Sequence, residues 1–150
     1  MPRPPLSRRA PLTAACPFCA GARPAPDHRI GDLGVTEAYL HDDQFFPGWV
    51  VLKLKRHATE LFELDAGERG RMMDEVARVA AALHTLFAPR KINYECLGNQ
   101  IAHIHWHVVP RLAEDPAPRD AVWTVSHTPV RLAPAERAER IATILAQLSR

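Results

Sequence analysis

At 150 residues, 47% of them apolar, the chain suits one globular domain with a modest core. A net charge of +2 gives no argument for a nucleic-acid partner, and no apolar run approaches the ~18 residues of a membrane span. The N-terminus carries Pro2, Pro4 and Pro5 among arginines but no apolar h-region, and three cysteines make no disulfide framework, so a cytoplasmic protein is expected.

Residues 1 to about 15 read as a disordered Pro/Arg-rich arm, and 16–150 as a single domain. Cys16-Pro17-Phe18-Cys19 follows. Its spacing suits a zinc knuckle, but a CxxC pair alone is a weak signal, shared with redox motifs. A redox role would want the pair opening a helix, where the helix N-terminus lowers a thiol pKa; Pro17 and the Pro-rich stretch to Pro26 oppose that helix.

Strand character runs from Val35 to Leu40 and is interrupted by His41-Asp42-Asp43. Phe46-Pro47-Gly48 marks a turn, and Trp49 to Leu54 reads as a second strand ending in the basic run Lys55-Arg56-His57. Asp65, with Glu68 three places on, has the capping-box spacing of a helix start. Met72, Met73, Val76, Val79, Ala80, Leu83, Leu86 and Phe87 then recur at helical spacing, with the methionines as core filler, His84 on a flank and Pro89 as the stop. Lys91 to Leu97 form a third strand, with Cys96 as a small buried residue. The short turn Gly98-Asn99-Gln100 makes an antiparallel pair with the next strand the natural arrangement. Beyond Pro116, a loop carries Trp123, and Pro134 opens a last amphipathic helix with Ile141, Ile144, Leu145 and Leu148. The fold expected is α+β: a small antiparallel sheet with a long helix inserted between strands and a second helix at the C-terminus.

The most informative stretch is His103-Ile104-His105-Trp106-His107-Val108-Val109-Pro110-Arg111. Strand geometry turns alternate side chains to opposite faces, so this segment would show one imidazole face and one apolar face. Two imidazolium charges roughly 7 Å apart repel by roughly 2.4 kcal/mol at an effective dielectric near 20. At least one ring therefore stays neutral at pH 7, with a lone pair free to act as nucleophile, base or metal ligand.

This alternation resembles the signature of the histidine-triad family, and the resemblance extends from about Val35 through Arg111. It implies nucleotide chemistry at an α-phosphate. His105 would be the nucleophile, forming a nucleotidyl-imidazole intermediate, and His107 would donate hydrogen bonds to phosphate oxygens. Asn93 matches a family Asn on the preceding strand, and Gly98 the family Gly before the triad. Asp42 lies where members place an acidic residue on the ribose hydroxyls; Asp43 could take that role, and Asp42 could equally be a turn or cap residue. Many members carry Gln followed by Ser or Thr before the first histidine, whereas here the pair is Asn99-Gln100. Both can donate to a phosphate, but neither offers a hydroxyl to a leaving group. Some members pair an N-terminal CxxC with two histidines, which would make Cys16, Cys19, His57 and His103 a structural zinc site, with no cofactor required for the chemical step. The family also commonly forms homodimers, for which the helix face and Trp123 offer surface. Two other readings stand beside this one: a metal-dependent hydrolase using the triad as ligands, and a non-catalytic, zinc-stapled nucleotide-binding module. The first is opposed by strand geometry, since three alternate residues span roughly 14 Å.

Overall fold

The computed structural model describes residues 16–150, so the arm expected over 1–15 lies outside the described residues. Five strands, β1 (Arg29–Asp32), β2 (Thr36–Leu40), β3 (Val50–Leu54), β4 (Lys91–Glu95) and β5 (His105–Arg111), form one antiparallel sheet in the order β1-β2-β3-β5-β4. The long helix α1 (Ala66–Phe87) is inserted between β3 and β4, and α2 (Pro134–Leu148) closes the chain. This is the α+β arrangement read from the sequence, with the short β4–β5 connection making the expected antiparallel pair. None of the described helices is long and apolar enough to cross a membrane.

Both helices cover one face of the sheet. Ala38, Leu40, Val50, Leu52 and Val108 pack there against Val76, Val79, Ala80 and Leu83 of α1 and Ile144 of α2. Burial of this kind is worth about 25 cal/mol per Å² of apolar surface, and it decides which way β5 faces: Trp106 and Val108 go to the helices, His105 and His107 to the open side.

Several local expectations need correction. Asp65 caps α1 by accepting from the Glu68 amide at 2.8 Å, but the reciprocal half of the capping box does not form because Arg56 takes the Glu68 carboxylate in a two-pronged pair. Met72 is fully buried while Met73 is exposed, so of these two helical methionines Met72 alone fills the core; on α2, Leu145 is likewise exposed. Cys96 lies just past β4 and is half-buried. The apolar face of α1 also holds Glu75, which accepts from the amides of Val35 and Thr36 at 2.8 Å each and from the Thr36 hydroxyl, tying the helix to the start of β2.

The β2–β3 connection borders the site and is held from two directions. At Gly48 φ is +84°, and a Cβ there would lie 2.6 Å from the Phe87 ring, so a glycine is required just before Trp49. From the other side, residues 125–130 fold back onto it. Asp43 accepts from the amides of Phe45 and Val130 and, at 2.6 Å, from His127 Nε2, while His127 Nδ1 donates to the Val125 carbonyl at 2.8 Å. Both nitrogens of His127 face acceptors, so the imidazolium is the form that satisfies them. The Asp43 hydrogen bond raises the His127 pKa against partial desolvation; burial pushes the Asp43 carboxyl up, but the bonds from His127 and the two amides hold it lower. A raised histidine pKa gives stability that is complete below about 6.5 and is lost as pH climbs through the folded value. A lowered aspartate pKa gives stability complete above about 3.9 and lost on further acidification. The stability gap between wild type and His127→Ala, read from thermal melts, should therefore be widest between those limits and narrow as pH rises above them. A gap independent of pH would show that His127 contributes packing on Phe45 and no charge.

Candidate active site and metal centre

The open face of β5 carries the two histidines that end in neutral form. His105 Nδ1 lies 2.6 Å from the carbonyl of His103, which can only accept, so Nδ1 carries the proton and Nε2 keeps a bare lone pair. Burial lowers the His105 pKa and outweighs the opposing effect of that hydrogen bond. His107 is pushed down to about 3, by burial first and then by neighbouring His105 and His41. The two rings stand 5.1 Å apart, edge to face.

Both line a cavity of about 550 Å³. One end is the loop Leu97 to Ile101, including Asn99 and Gln100; the other holds His28, Leu40, His41 and Asp42. Of the two adjacent aspartates, Asp42 lines the cavity, held by Arg131 and 3.6 Å from His28 Nε2, whereas Asp43 is engaged by His127. Asn93 is not part of the lining: its side-chain oxygen accepts from Arg111 at 2.6 Å, below the site on the same sheet.

His103 takes a different course from its neighbours. The regular strand begins only at His105, and the His103 amide closes a tight turn onto the Ile101 carbonyl. Its ring donates from Nε2 to the Leu54 carbonyl at 2.7 Å, which leaves Nδ1 as an acceptor. That nitrogen lies 3.5 Å from Cys16 Sγ, 3.5 Å from Cys19 Sγ and 3.3 Å from His57 Nδ1; Cys19 Sγ is 3.3 Å from His57 Nδ1. All four donor atoms fall within 4.8 Å of one another. A tetrahedral zinc, with bonds of about 2.3 Å to sulfur and 2.0–2.1 Å to nitrogen, would separate its ligands by roughly 3.3 Å for N···N and 3.5 Å for N···S. The donor set and its spacings fit that ion. Among the described residues, no other group of three or more His, Cys, Asp or Glu side chains gathers in this way. The triad itself does not converge on one point, because each ring turns a nitrogen to a different partner: the Leu54 carbonyl, the His103 carbonyl and the Trp49 indole.

The HIT domain family profile matches residues 22–114, well over half of the chain. The chain belongs to the HIT family. A sequence search of curated proteins gives no significant match. Among solved structures, the HIT fold is shared with a histidine-triad protein from Bradyrhizobium japonicum (29% identity, TM-score 0.74, covering 80% of this chain and 89% of that one). A histidine-triad protein from Sinorhizobium meliloti is 30% identical, with TM-score 0.73 and coverage of 79% and 87%. A histidine-triad family protein from Mycobacterium smegmatis, described as zinc-bound, has the same fold at 23% identity, TM-score 0.68 and coverage of 91% and 97%.

Four site residues of this HIT protein have no local signal in the sequence. Phe18, between the two cysteines, sits edge-on to both His103 and His105 with ring centroids 5.4 and 5.0 Å away. His28, in a short helical turn before β1, is buried at the Asp42 end of the cavity. Trp49 contacts His107 from beneath. Trp123, expected on a dimer surface, stands at the cavity mouth with its ring edge-on to His107 and Trp49, 4.9 and 5.3 Å away.

Proposed function

We propose that this HIT protein is a nucleotide hydrolase or nucleotidyl transferase that works through a covalent intermediate on His105. The observation that carries this reading is the fixed tautomer of His105: Nδ1–H is committed to the His103 carbonyl, so the Nε2 lone pair of a neutral ring is offered to a cavity large enough for a nucleotide. In the first step that lone pair forms a P–N bond to the α-phosphorus as the bond to the leaving group breaks and its electron pair departs. The ring becomes cationic, and the His103 carbonyl facing Nδ1–H stabilises that charge. Water or another acceptor then attacks the same phosphorus, giving up its proton, and the electron pair of the P–N bond returns to His105.

His107 would donate to the phosphoryl oxygens, Asn99 and Gln100 would offer amides from the opposite loop, and Asp42 would take the ribose hydroxyls. Cys16, Cys19, His57 and His103 would hold a zinc ion whose contribution is structural. His103 thereby serves both sites, its ring in the metal cluster and its carbonyl behind the nucleophile. A homodimer is part of the same reading, and sedimentation analysis tests it.

The test is to incubate the protein with dinucleoside polyphosphates, nucleoside phosphoramidates and nucleotide sugars, and to identify products by mass. An alkaline denaturing quench preserves P–N bonds for intact-mass measurement. A nucleotidyl adduct on His105, formed at a rate able to support turnover, is expected. Binding without turnover or adduct would leave a binding module, and chelator-sensitive turnover without adduct would point to the metal-dependent hydrolase.

A further inference from the structure

Trp49 is placed by the turn before β3, and its backbone is held at three points. Its amide donates to the Phe46 carbonyl at 3.2 Å, and its carbonyl accepts from the His41 amide at 2.9 Å and the Gln44 side chain at 3.0 Å. The indole is 3% exposed. His41 stacks on it at 3.8 Å with the planes 9° apart, and Phe46 and Trp123 meet it edge-on. A ring boxed in this way cannot swing, so the direction of its N–H is set by the fold. That N–H points at His107 Nδ1, 3.1 Å away.

An indole nitrogen donates and never accepts, so Nδ1 of His107 must present its lone pair. The proton of the neutral ring is then on Nε2, the nitrogen not engaged by Trp49. We infer that Trp49 is a positioning residue of this site, fixing His107 in its Nε2–H form so that the ring offers a donor, not an acceptor, to the bound phosphoryl group. A ring without this contact could place its proton on either nitrogen, and in the Nδ1–H form it would turn a lone pair toward phosphoryl oxygens. The catalytic consequence rests on the nucleotidyl chemistry proposed above; the tautomer itself does not.

The test uses the full chain labelled with nitrogen-15 in histidine and tryptophan. In the wild-type protein, a through-hydrogen-bond coupling should link the Trp49 indole N–H to Nδ1 of His107, assigned by its loss in His107→Asn. Trp49→Phe keeps an aromatic ring but removes the N–H donor together with part of the buried indole volume, so its fold is checked by circular dichroism and the His107 nitrogen shifts carry the decision on the tautomer. In the folded variant the two His107 nitrogen shifts should move toward each other as the tautomers mix. On the best nucleotide substrate kcat should fall by roughly tenfold, the loss of one hydrogen bond expressed as rate, with KM changed by less than about twofold. Absence of the coupling in wild-type protein overturns the inference whether or not the variant folds. Unchanged His107 shifts, or an unchanged kcat, in folded Trp49→Phe overturn it as well. If the wild-type protein turns over no nucleotide, the proposed function fails, and the coupling and shifts still decide for or against Trp49.

Discussion

His105→Asn is expected to lower turnover of the best nucleotide substrate by more than roughly 10³-fold, in the range seen when a covalent nucleophile is removed. The replacement is chosen on geometry. A carboxamide N–H can still reach the His103 carbonyl that holds Nδ1 in the wild type, so the turn between the metal cluster and β5 stays satisfied. What is lost is the lone pair on the cavity side, since an amide nitrogen is not nucleophilic. Nucleotide affinity should change little, because Asp42, His107 and the Asn99–Gln100 loop are untouched. No adduct should form under the alkaline quench. His107→Asn is expected to behave differently, with a smaller loss of rate and weaker binding together, as suits a group that contacts the phosphoryl oxygens in ground and transition states alike. If His105→Asn retained near-wild-type turnover, covalent catalysis at that ring would be excluded, and activation of water by a neighbouring group would have to replace it.

The triad was legible because its chemistry is written at strand period: the same alternation that buries Trp106 and Val108 under the helices exposes His105 and His107. Helix α1 was legible for the same reason at period 3.6, and its cap because Asp65 and Glu68 are close in sequence. Failures came where the deciding contact is distant or where a local pattern is too short. Strand β1 has four residues, of which Ile30 alone is a buried hydrophobe, and its register shifts between Arg29 and Gly31, so no alternation develops. Trp49 looked like one more strand residue because its partner His107 lies 58 positions away. The resemblance gives Asn93 a nucleotide-binding role, which stays an expectation; its side chain is directed to Arg111, which is buried and already bound by Asp115 and two backbone carbonyls. An arginine so deeply placed needs every acceptor it can reach, and that local demand accounts for the Asn93 contact.

Purified protein should contain close to one zinc per chain, and the double variant Cys16→Ser, Cys19→Ser should lose it together with thermal stability. The four donors stand at tetrahedral ligand spacings while the other ring nitrogen of His103 is already spent on the Leu54 carbonyl. Without an ion, that arrangement would direct two imidazole nitrogens at each other, 3.3 Å apart, beside two thiols. An ion that binds the folded chain and not the unfolded one stabilises it by about 2.7–4.1 kcal/mol at 100 to 1,000 times its dissociation constant. For a chain of this size, about 3 kcal/mol corresponds to a melting shift of roughly 6–12 °C. Activity should fall too, although no zinc ligand touches the cavity through its metal-binding atom. The His103 carbonyl faces Nδ1 of His105, and the His103 ring is one of the four clustered donors, so on the proposed reading loosening the cluster would loosen the acceptor behind His105. Elemental analysis, thermal melts and turnover measured on the same preparations separate these effects. Wild-type protein purified without chelator and free of zinc would remove the metal from the account. A variant that loses zinc and stability but keeps full turnover would show that the cluster braces the N-terminal turn alone and that the His103 carbonyl is positioned by the Ile101 turn and the Leu54 contact.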